Sequence, residues 1–257
     1  VQKHVPWGAF EAAVERHQAD ARVRRLPTKS QFLALLYAQL SGASSLRAIL
    51  DGLESHASVL YHLGATAPAR STFADANAQR PSAVFAEVFA ALLKQVRPGL
   101  RRKIGETTYL IDSSGLRLNA CSADWARYSA RVCGAKLHIV YDPDADCPIY
   151  AAVTAAKVND ITAAHEMPIV AGATYVFDLG YYDYRWWAAL DAAQCRIVTR
   201  LKSNTPLHIV VELPLPPQGA VLSDRIGFLA QRQAKSRRNP FGEAVREPAL
   251  ASRPLLV

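Results

Sequence analysis

The sequence of 257 residues predicts an α/β fold in which an all-helical N-terminal segment precedes a mixed β-sheet. In residues 1–104, apolar side chains recur at helical spacing between breaks rich in Pro and Gly. From residue 105 onward, short β-rich runs form a meander and then alternate with helical segments. We therefore expect a helical domain over 1–104, an α/β core over 105–247 and an irregular tail over 248–257.

The helical segment carries recognisable start and stop signals. Thr28 and Gln31 have the spacing of a capping box ahead of a run of leucines, and Gly42 is expected to end that helix. Ser44 or Ser45 then begins the next helix. Two more helices follow later prolines, so we expect four helices in this segment.

Charge is distributed unevenly along the chain, whose net charge is +8. Residues 1–104 hold 14 basic and 7 acidic side chains, residues 105–205 hold 9 and 11, and residues 206–257 hold 7 and 4. Basic flanks around a slightly acidic centre are typical of a protein that binds a polyanion and has a cation-binding core. A basic protein with solvated charges has the same pattern, so both interpretations stay open. The polar segment Arg70–Arg80 likewise suits a DNA-facing helix or a solvated one.

The four cysteines, Cys121, Cys133, Cys147 and Cys195, have no pairwise spacing typical of a zinc site. Scattered cysteines of this kind are expected to be reduced thiols in a cytosolic protein. No run of eighteen apolar residues is present, so we expect no membrane partner. The chain begins with Val1 and not with Met, and we expect it to lack its natural start.

Two short apolar runs each lead into an aspartate, at Tyr109–Asp112 and at Tyr175–Asp178. We expect both runs to be strands that end at the aspartate, with residues 115–119 returning as the hairpin partner of the first. If the two strands are parallel neighbours, both carboxylates lie at one edge of the sheet. Paired carboxylates repel each other unless a cation lies between them. The alternative for each aspartate is a cap on the turn that follows a strand.

Four phrases carry a family resemblance: YLIDSSGLRL, KLHIVYD, YVFDLGYYDY and IVTRLKSNT, in this order. Together they resemble the DDE transposases of bacterial insertion sequences, more narrowly the group of insertion sequence four, over roughly residues 25–247. The resemblance implies an RNase H-like core, with the first two catalytic aspartates at Asp112 and Asp178. It also implies DNA-binding positions at Lys136, His138, Arg200, Lys202 and Asn204.

The resemblance further implies a mechanism and a set of partners. Asp112 and Asp178 would bind Mg²⁺ or Mn²⁺, and the enzyme would cut double-stranded DNA at the inverted repeats and join it to target DNA. The helical domain would bind the ends of the element. The family generally acts as a dimer on paired ends, which implies a homodimer, and its place is the bacterial cytoplasm, at the nucleoid.

One part of the family pattern is absent from the sequence. The third carboxylate of the family is a Glu in Tyr-x₂-Arg-x₃-Glu-x₆-Lys, and none of Glu212, Glu243 and Glu247 has an Arg four residues before it. We therefore expect a C-terminally truncated or frameshifted copy with impaired activity. One alternative is a non-catalytic DNA-binding remnant that occupies transposon ends. Another is a related nuclease whose third ligand is Asp160 or Asp183.

Overall fold

The computed structural model describes residues 2–96, 107–205, 207–215, 221–229 and 255–256. The chain divides into two compact units, residues 1–99 and residues 100–257. The regular elements described in the first unit are helices, and those in the second are strands joined by turns and short helices. The predicted fold class is therefore confirmed. The expected domain boundary at residue 104 and most of the expected tail over 248–257 lie outside the described residues.

Six α-helices build the described part of the first unit. The sequence predicted four of them, and the first and fourth helices were not predicted. Apolar residues of the second to fifth helices form one core, and those of the first and sixth form another. The helices are α1 (Trp7–Arg16), α2 (Thr28–Ser41), α3 (Leu46–Ser55), α4 (Ala57–His62), α5 (Arg70–Gln79) and α6 (Ala83–Val96).

The start of α2 differs from the expected capping box. Its N-cap is Pro27, which makes no side-chain cap, and Thr28 is the first helical residue. The backbone N–H and the hydroxyl of Thr28 both donate to Oδ1 of Asp20, at 2.7 Å each. Gln31 is buried and donates to Oδ1 of Asn77 on α5 at 2.7 Å. The capping-box prediction is wrong, because the side chain of Thr28 is engaged by Asp20 and that of Gln31 by Asn77.

The boundary between α2 and α3 agrees with the sequence. Gly42 ends α2 with φ 70°, a left-handed conformation that glycine adopts without a steric penalty. Ser45 then caps α3, because its side chain accepts a hydrogen bond from the backbone N–H of Ala48 at 3.2 Å. Of the two serines proposed from the sequence, Ser45 is the cap.

Among the described helices, none is by itself long and apolar enough to cross a lipid bilayer. α2 and α3 reach that length and apolarity only when they are counted together, across a bend of 100°. Their apolar side chains, including Leu33, Ile49 and Leu53, lie in the core of the helical unit.

A five-stranded sheet with the order β3-β2-β1-β4-β5 forms the centre of the second unit. The first three strands are an antiparallel meander, and the last two run parallel to β1. The elements are β1 (Thr108–Leu118), α7 (Ala123–Ala126), β2 (Cys133–Asp142), β3 (Cys147–Ala155), α8 (Asp160–Ala164), β4 (Thr174–Phe177), α9 (Tyr184–Ala192) and β5 (Arg196–Thr199). A smaller antiparallel sheet follows, made of β6 (Leu207–Glu212), β7 (Arg225–Leu229) and β8 (Leu255–Leu256).

Strand β1 is longer than the sequence predicted. It continues through Asp112 to Leu118, and its second half pairs with β2 from Gly115↔Lys136 to Leu118↔Cys133. The expected hairpin over residues 115–119 is therefore wrong. The physical reason is that β2 reaches back to Cys133, so that it supplies ladder partners for the whole second half of β1.

The segment after β4 is fixed by aromatic packing. The spacing of Trp186, Trp187 and Leu190 in the sequence predicts the packing face of a helix over residues 184–193, and these three residues form the buried face of α9. Phe177 lies 5.0 Å from Trp186 between ring centroids. The indole N–H of Trp187 donates to the carbonyl of Tyr181 at 3.0 Å. These contacts hold the turn that follows β4 in one position.

Candidate active site at the sheet edge

Asp112 and Asp178 stand at the same level of two adjacent strands. β1 and β4 are parallel neighbours, and their last paired residues are Leu110 and Val176. Each aspartate follows two residues later, and both are exposed. β1 and β4 are therefore parallel neighbours, which is the condition under which we expected both carboxylates at one edge of the sheet.

Each of these carboxylates is oriented by a nearby backbone N–H. Oδ1 of Asp112 accepts from the N–H of Ser113 at 2.8 Å. Oδ1 of Asp178 accepts from the N–H of Gly180 at 2.8 Å, at the start of the short turn Leu179–Tyr181. A carboxylate has about four acceptor positions, so one hydrogen bond leaves capacity for further partners at these exposed sites.

A third carboxylate, Asp160 in the first turn of α8, lies beside this pair. Its Oδ1 accepts from the hydroxyl of Ser113 at 2.9 Å and from Nζ of Lys136 at 3.0 Å. Nζ of Lys136 also donates to the carbonyl of Val158 at 3.1 Å. Asp160 thus joins β1, β2 and α8 next to Asp112.

The other oxygen of Asp160 faces the turn that follows Asp178. A Cβ atom built on Gly180 would lie 3.0 Å from Oδ2 of Asp160 and 3.0 Å from Oδ1 of Asp178. Both distances are shorter than an ordinary van der Waals contact. Glycine at position 180 therefore permits these two carboxylates to approach the same point.

The hydroxyl of Tyr181 lies near enough to three carboxylates to be affected by their charges. The side chain of Tyr181 is buried, and burial is the main reason why the pKa of its hydroxyl is raised. The charges of Asp160, Asp112 and Asp178 raise that pKa further. Asp183, the other residue considered as a third ligand, instead caps α9 by accepting from a backbone N–H of its first turn at 2.9 Å.

His138 lies inside the core and not on the surface. Its side chain is 0% exposed, and its Nε2 lies 2.8 Å from the hydroxyl of Thr154. Its Nδ1 is 3.8 Å from Oδ1 of Asp160, which is too long for a hydrogen bond. Burial lowers the pKa of His138, Asp160 raises it and Lys136 lowers it again. Its DNA contact stays a prediction, and this burial does not favour it.

The basic stretch that follows β5, residues 200–204, begins at the same sheet edge. β5 is parallel to β4, and its ladder places Arg200 level with Asp178. Arg200, Lys202 and Asn204 are all exposed. Nζ of Lys202 lies 4.4 Å from the ring centroid of Tyr182, in the turn after Asp178. Cations at this position can bind phosphate oxygens near the two aspartates.

The donor set suits a hard divalent cation that keeps other ligands. Within the described ranges, no group of three His, Cys, Asp or Glu side chains is close enough to hold a metal ion. Mg²⁺ is commonly bound by one or two carboxylates together with water and substrate phosphates. Asp112 and Asp178 provide such a pair of exposed carboxylates, so these residues fit the ion.

Comparison with known proteins identifies the family of the second unit. Residues 103–247 match the family described as "Transposase DDE domain". The match covers more than half of the chain and contains both aspartates. The chain belongs to the transposase DDE domain family. Members of this family generally use divalent metal ions. Residues 1–66, ahead of the transposase DDE domain, match a second family, described as "Domain of unknown function (DUF4372)".

A relative with a curated description is the protein "Putative transposase y4zB" of Sinorhizobium fredii (strain NBRC 101917 / NGR234). It is 45% identical over 143 residues, which are 56% of this chain and 40% of the relative. The chain thus spans well under half of that relative's length. The predicted resemblance to DDE transposases is confirmed, whereas the narrower group of insertion sequence four stays a prediction.

Three residues of the site were not proposed from the sequence: Ser113, Gly180 and Tyr181. Each lies one to three residues after one of the two aspartates, in the segments Asp-Ser-Ser and Asp-Leu-Gly-Tyr. Those flanking segments are the only signal in the sequence, and they do not name a partner. Asp160 was considered as a third ligand, but its contacts with Ser113 and Lys136 appear only in the fold.

Proposed function

We propose that this chain binds double-stranded DNA at the ends of an insertion sequence and supports divalent-metal-dependent cleavage and strand transfer there. The observation that carries the proposal is the placement of Asp112 and Asp178. They stand level on adjacent parallel strands of a transposase DDE domain. Action as a homodimer on paired ends is part of this proposal.

The proposal assigns a role to each exposed group at the edge. Asp112 and Asp178 hold Mg²⁺ or Mn²⁺ through carboxylate oxygens. When bound, the ion stabilises negative charge on the attacking and leaving oxygens of the phosphodiester. Arg200 and Lys202 bind neighbouring phosphates and set the register of the DNA, and Asn204 donates a hydrogen bond to the sugar-phosphate backbone of the DNA.

The proposal also limits what this chain does by itself. The sequence lacks the motif that carries the family's third carboxylate. Because fewer charged ligands hold a cation less firmly, we expect end binding to be stronger than cleavage and strand transfer to be weak. The limiting case is a DNA-binding protein without chemistry, which would occupy the ends and interfere with an intact enzyme.

The test uses the 257-residue chain and a duplex that carries the inverted repeats flanking its own coding sequence. Gel-shift titrations at several salt concentrations measure binding, and a nicking assay with added Mg²⁺ or Mn²⁺ measures cleavage. We expect salt-sensitive binding by the wild type and by Asp112→Asn and Asp178→Asn. We expect nicking to be lost in both variants.

Each outcome separates the candidate functions. Nicking that persists in Asp112→Asn would show that the assigned carboxylates are not the metal ligands. Binding without any nicking would support the DNA-binding remnant. Absence of a preference for the repeat duplex over a scrambled duplex would contradict both.

A further inference from the structure

Asp160 takes part in a hydrogen-bond network that is partly shielded from solvent. The proposed function assigns no role to this network. The side chain of Asp160 is 22% exposed and that of its ion-pair partner Lys136 is 25% exposed. Both donors to its Oδ1, the ammonium of Lys136 and the hydroxyl of Ser113, come from the two neighbouring strands β2 and β1. The carboxylate is therefore held in one orientation relative to the sheet.

That orientation connects the two proposed metal ligands. On one side, Asp160 accepts a hydrogen bond from the hydroxyl of Ser113, and the backbone N–H of Ser113 orients the carboxylate of Asp112. On the other side, Oδ2 of Asp160 abuts Gly180, whose N–H orients Asp178. One side chain thus contacts the residues that aim both aspartates.

We propose that Asp160 is a positioning residue, locked by Lys136, that sets the relative placement of Asp112 and Asp178 for a divalent cation. This inference rests on the proposed function. It gives Lys136 an internal role, because its ammonium is already engaged by Asp160 and by the carbonyl of Val158. Residues that orient metal ligands from outside the ligand set commonly change metal affinity by about 10- to 100-fold when they are removed.

A charge-neutral pair of variants tests the connection. Ser113→Ala removes the hydroxyl that donates to Asp160, while Ser114→Ala removes an exposed hydroxyl at the next position on the opposite face of β1. Mn²⁺ affinity of the full chain is measured by titration calorimetry. We expect Ser113→Ala to weaken Mn²⁺ binding by about tenfold or more, and Ser114→Ala to leave it unchanged.

A second variant separates positioning from simple charge. Lys136→Met removes a positive charge and keeps the carboxyl group of Asp160. If Asp160 acted only through its charge, Mn²⁺ would bind more tightly to this variant. If Asp160 positions the ligands, Mn²⁺ binds more weakly, because the carboxylate is no longer held. Thermal unfolding of each variant verifies that the chain is folded at the temperature of the titration.

The proposed function and this inference fail in different ways. A wild-type chain that binds no Mn²⁺, or binds it equally well after Asp112→Asn, overturns the metal site and the inference with it. Binding that is lost in Asp112→Asn but unchanged in Ser113→Ala, or tighter in Lys136→Met, overturns the positioning role alone.

Discussion

Nζ of Lys136 lies 3.0 Å from Oδ1 of Asp160, and this ion pair joins β2 to α8. Both side chains are about three-quarters covered, so water screens the pair less than it would at the surface. The pair lies beside the proposed metal ligands and anchors the helix that carries Asp160. Its removal is therefore expected to affect both the stability of the second unit and the geometry of the site.

Replacing Lys136 with Met is expected to lower the free energy of unfolding by about 1–3 kcal/mol, because Asp160 loses a charged donor while it stays partly covered. Urea denaturation followed by tryptophan fluorescence measures the change, since Trp186 and Trp187 lie in the same unit. Lys157→Met, at an exposed position, is the matched control and should change the stability by less than about 0.5 kcal/mol. Equal stabilities for the two variants would contradict a structural role for the ion pair.

Replacing Gly180 with Ala introduces a methyl group 3.0 Å from oxygens of both Asp160 and Asp178. One or both carboxylates must move, so we expect weaker Mn²⁺ binding and a loss of about 1–3 kcal/mol in stability. Gly115→Ala serves as the control, because a Cβ at that position would meet nothing within 4 Å. The prediction fails if both alanine variants bind Mn²⁺ as the wild type does.

Buried His138 gives the stability of the chain a dependence on pH. Unfolded histidine has a pKa of about 6.5, and burial lowers the pKa of His138 in the fold, an effect that Lys136 reinforces and Asp160 opposes. Between the two pKa values the unfolded chain binds more protons. The contribution is therefore fully present above about pH 6.5 and is lost as the pH falls towards the folded pKa.

Urea titrations between about pH 7.5 and 5 measure this dependence in the wild type and in His138→Gln. We expect the acid-side decrease in unfolding free energy to be smaller in the variant. His62→Gln, at an exposed position, should keep the wild-type slope. A slope that His138→Gln leaves intact would assign the acid sensitivity to other groups.

Arg196, the first residue of β5, and Arg200, which follows its last residue, form a matched pair for testing the DNA surface. Arg200 lies level with Asp178 just after the strand, whereas Arg196 begins the strand about 13 Å away. Each phosphate contact that is lost reduces the salt dependence of DNA binding by about one unit of logarithmic slope. We expect this change for Arg200→Ala and not for Arg196→Ala, measured by fluorescence anisotropy at several salt concentrations. Equal effects of the two substitutions would contradict the proposal that this edge of the sheet faces the DNA.

Several elements could be predicted from the sequence because their signals are local. Strand β4 covers residues 174–177, one residue from the expected run Tyr175–Asp178, and Trp186, Trp187 and Leu190 form the expected buried face of α9. Gly42 and Ser45 mark the helix ends that their backbone and side-chain chemistry favours. Periodicity, turn residues and caps act over a few positions, so these features need no knowledge of the rest of the chain.

Two predictions that were made from local patterns are wrong. Residues 115–119 were expected to return as a hairpin partner of the first strand, but residues 115–118 continue β1 and pair with β2 instead. Thr28 and Gln31 had capping-box spacing, but the hydroxyl of Thr28 donates to Asp20 and the amide of Gln31 donates to Asn77 instead. In both cases a partner outside the local motif supplied the hydrogen bonds.

The candidate site divides in the same way. The sequence by itself determined that Asp112 and Asp178 follow apolar strand segments and that a basic stretch comes after the next strand. Only the tertiary structure decided that β1 and β4 are parallel neighbours, that Asp160 reaches Ser113, and that His138 is enclosed. The physical reason is that strand order and side-chain hydrogen bonds across tens of residues depend on packing of the whole sheet, which no local pattern encodes.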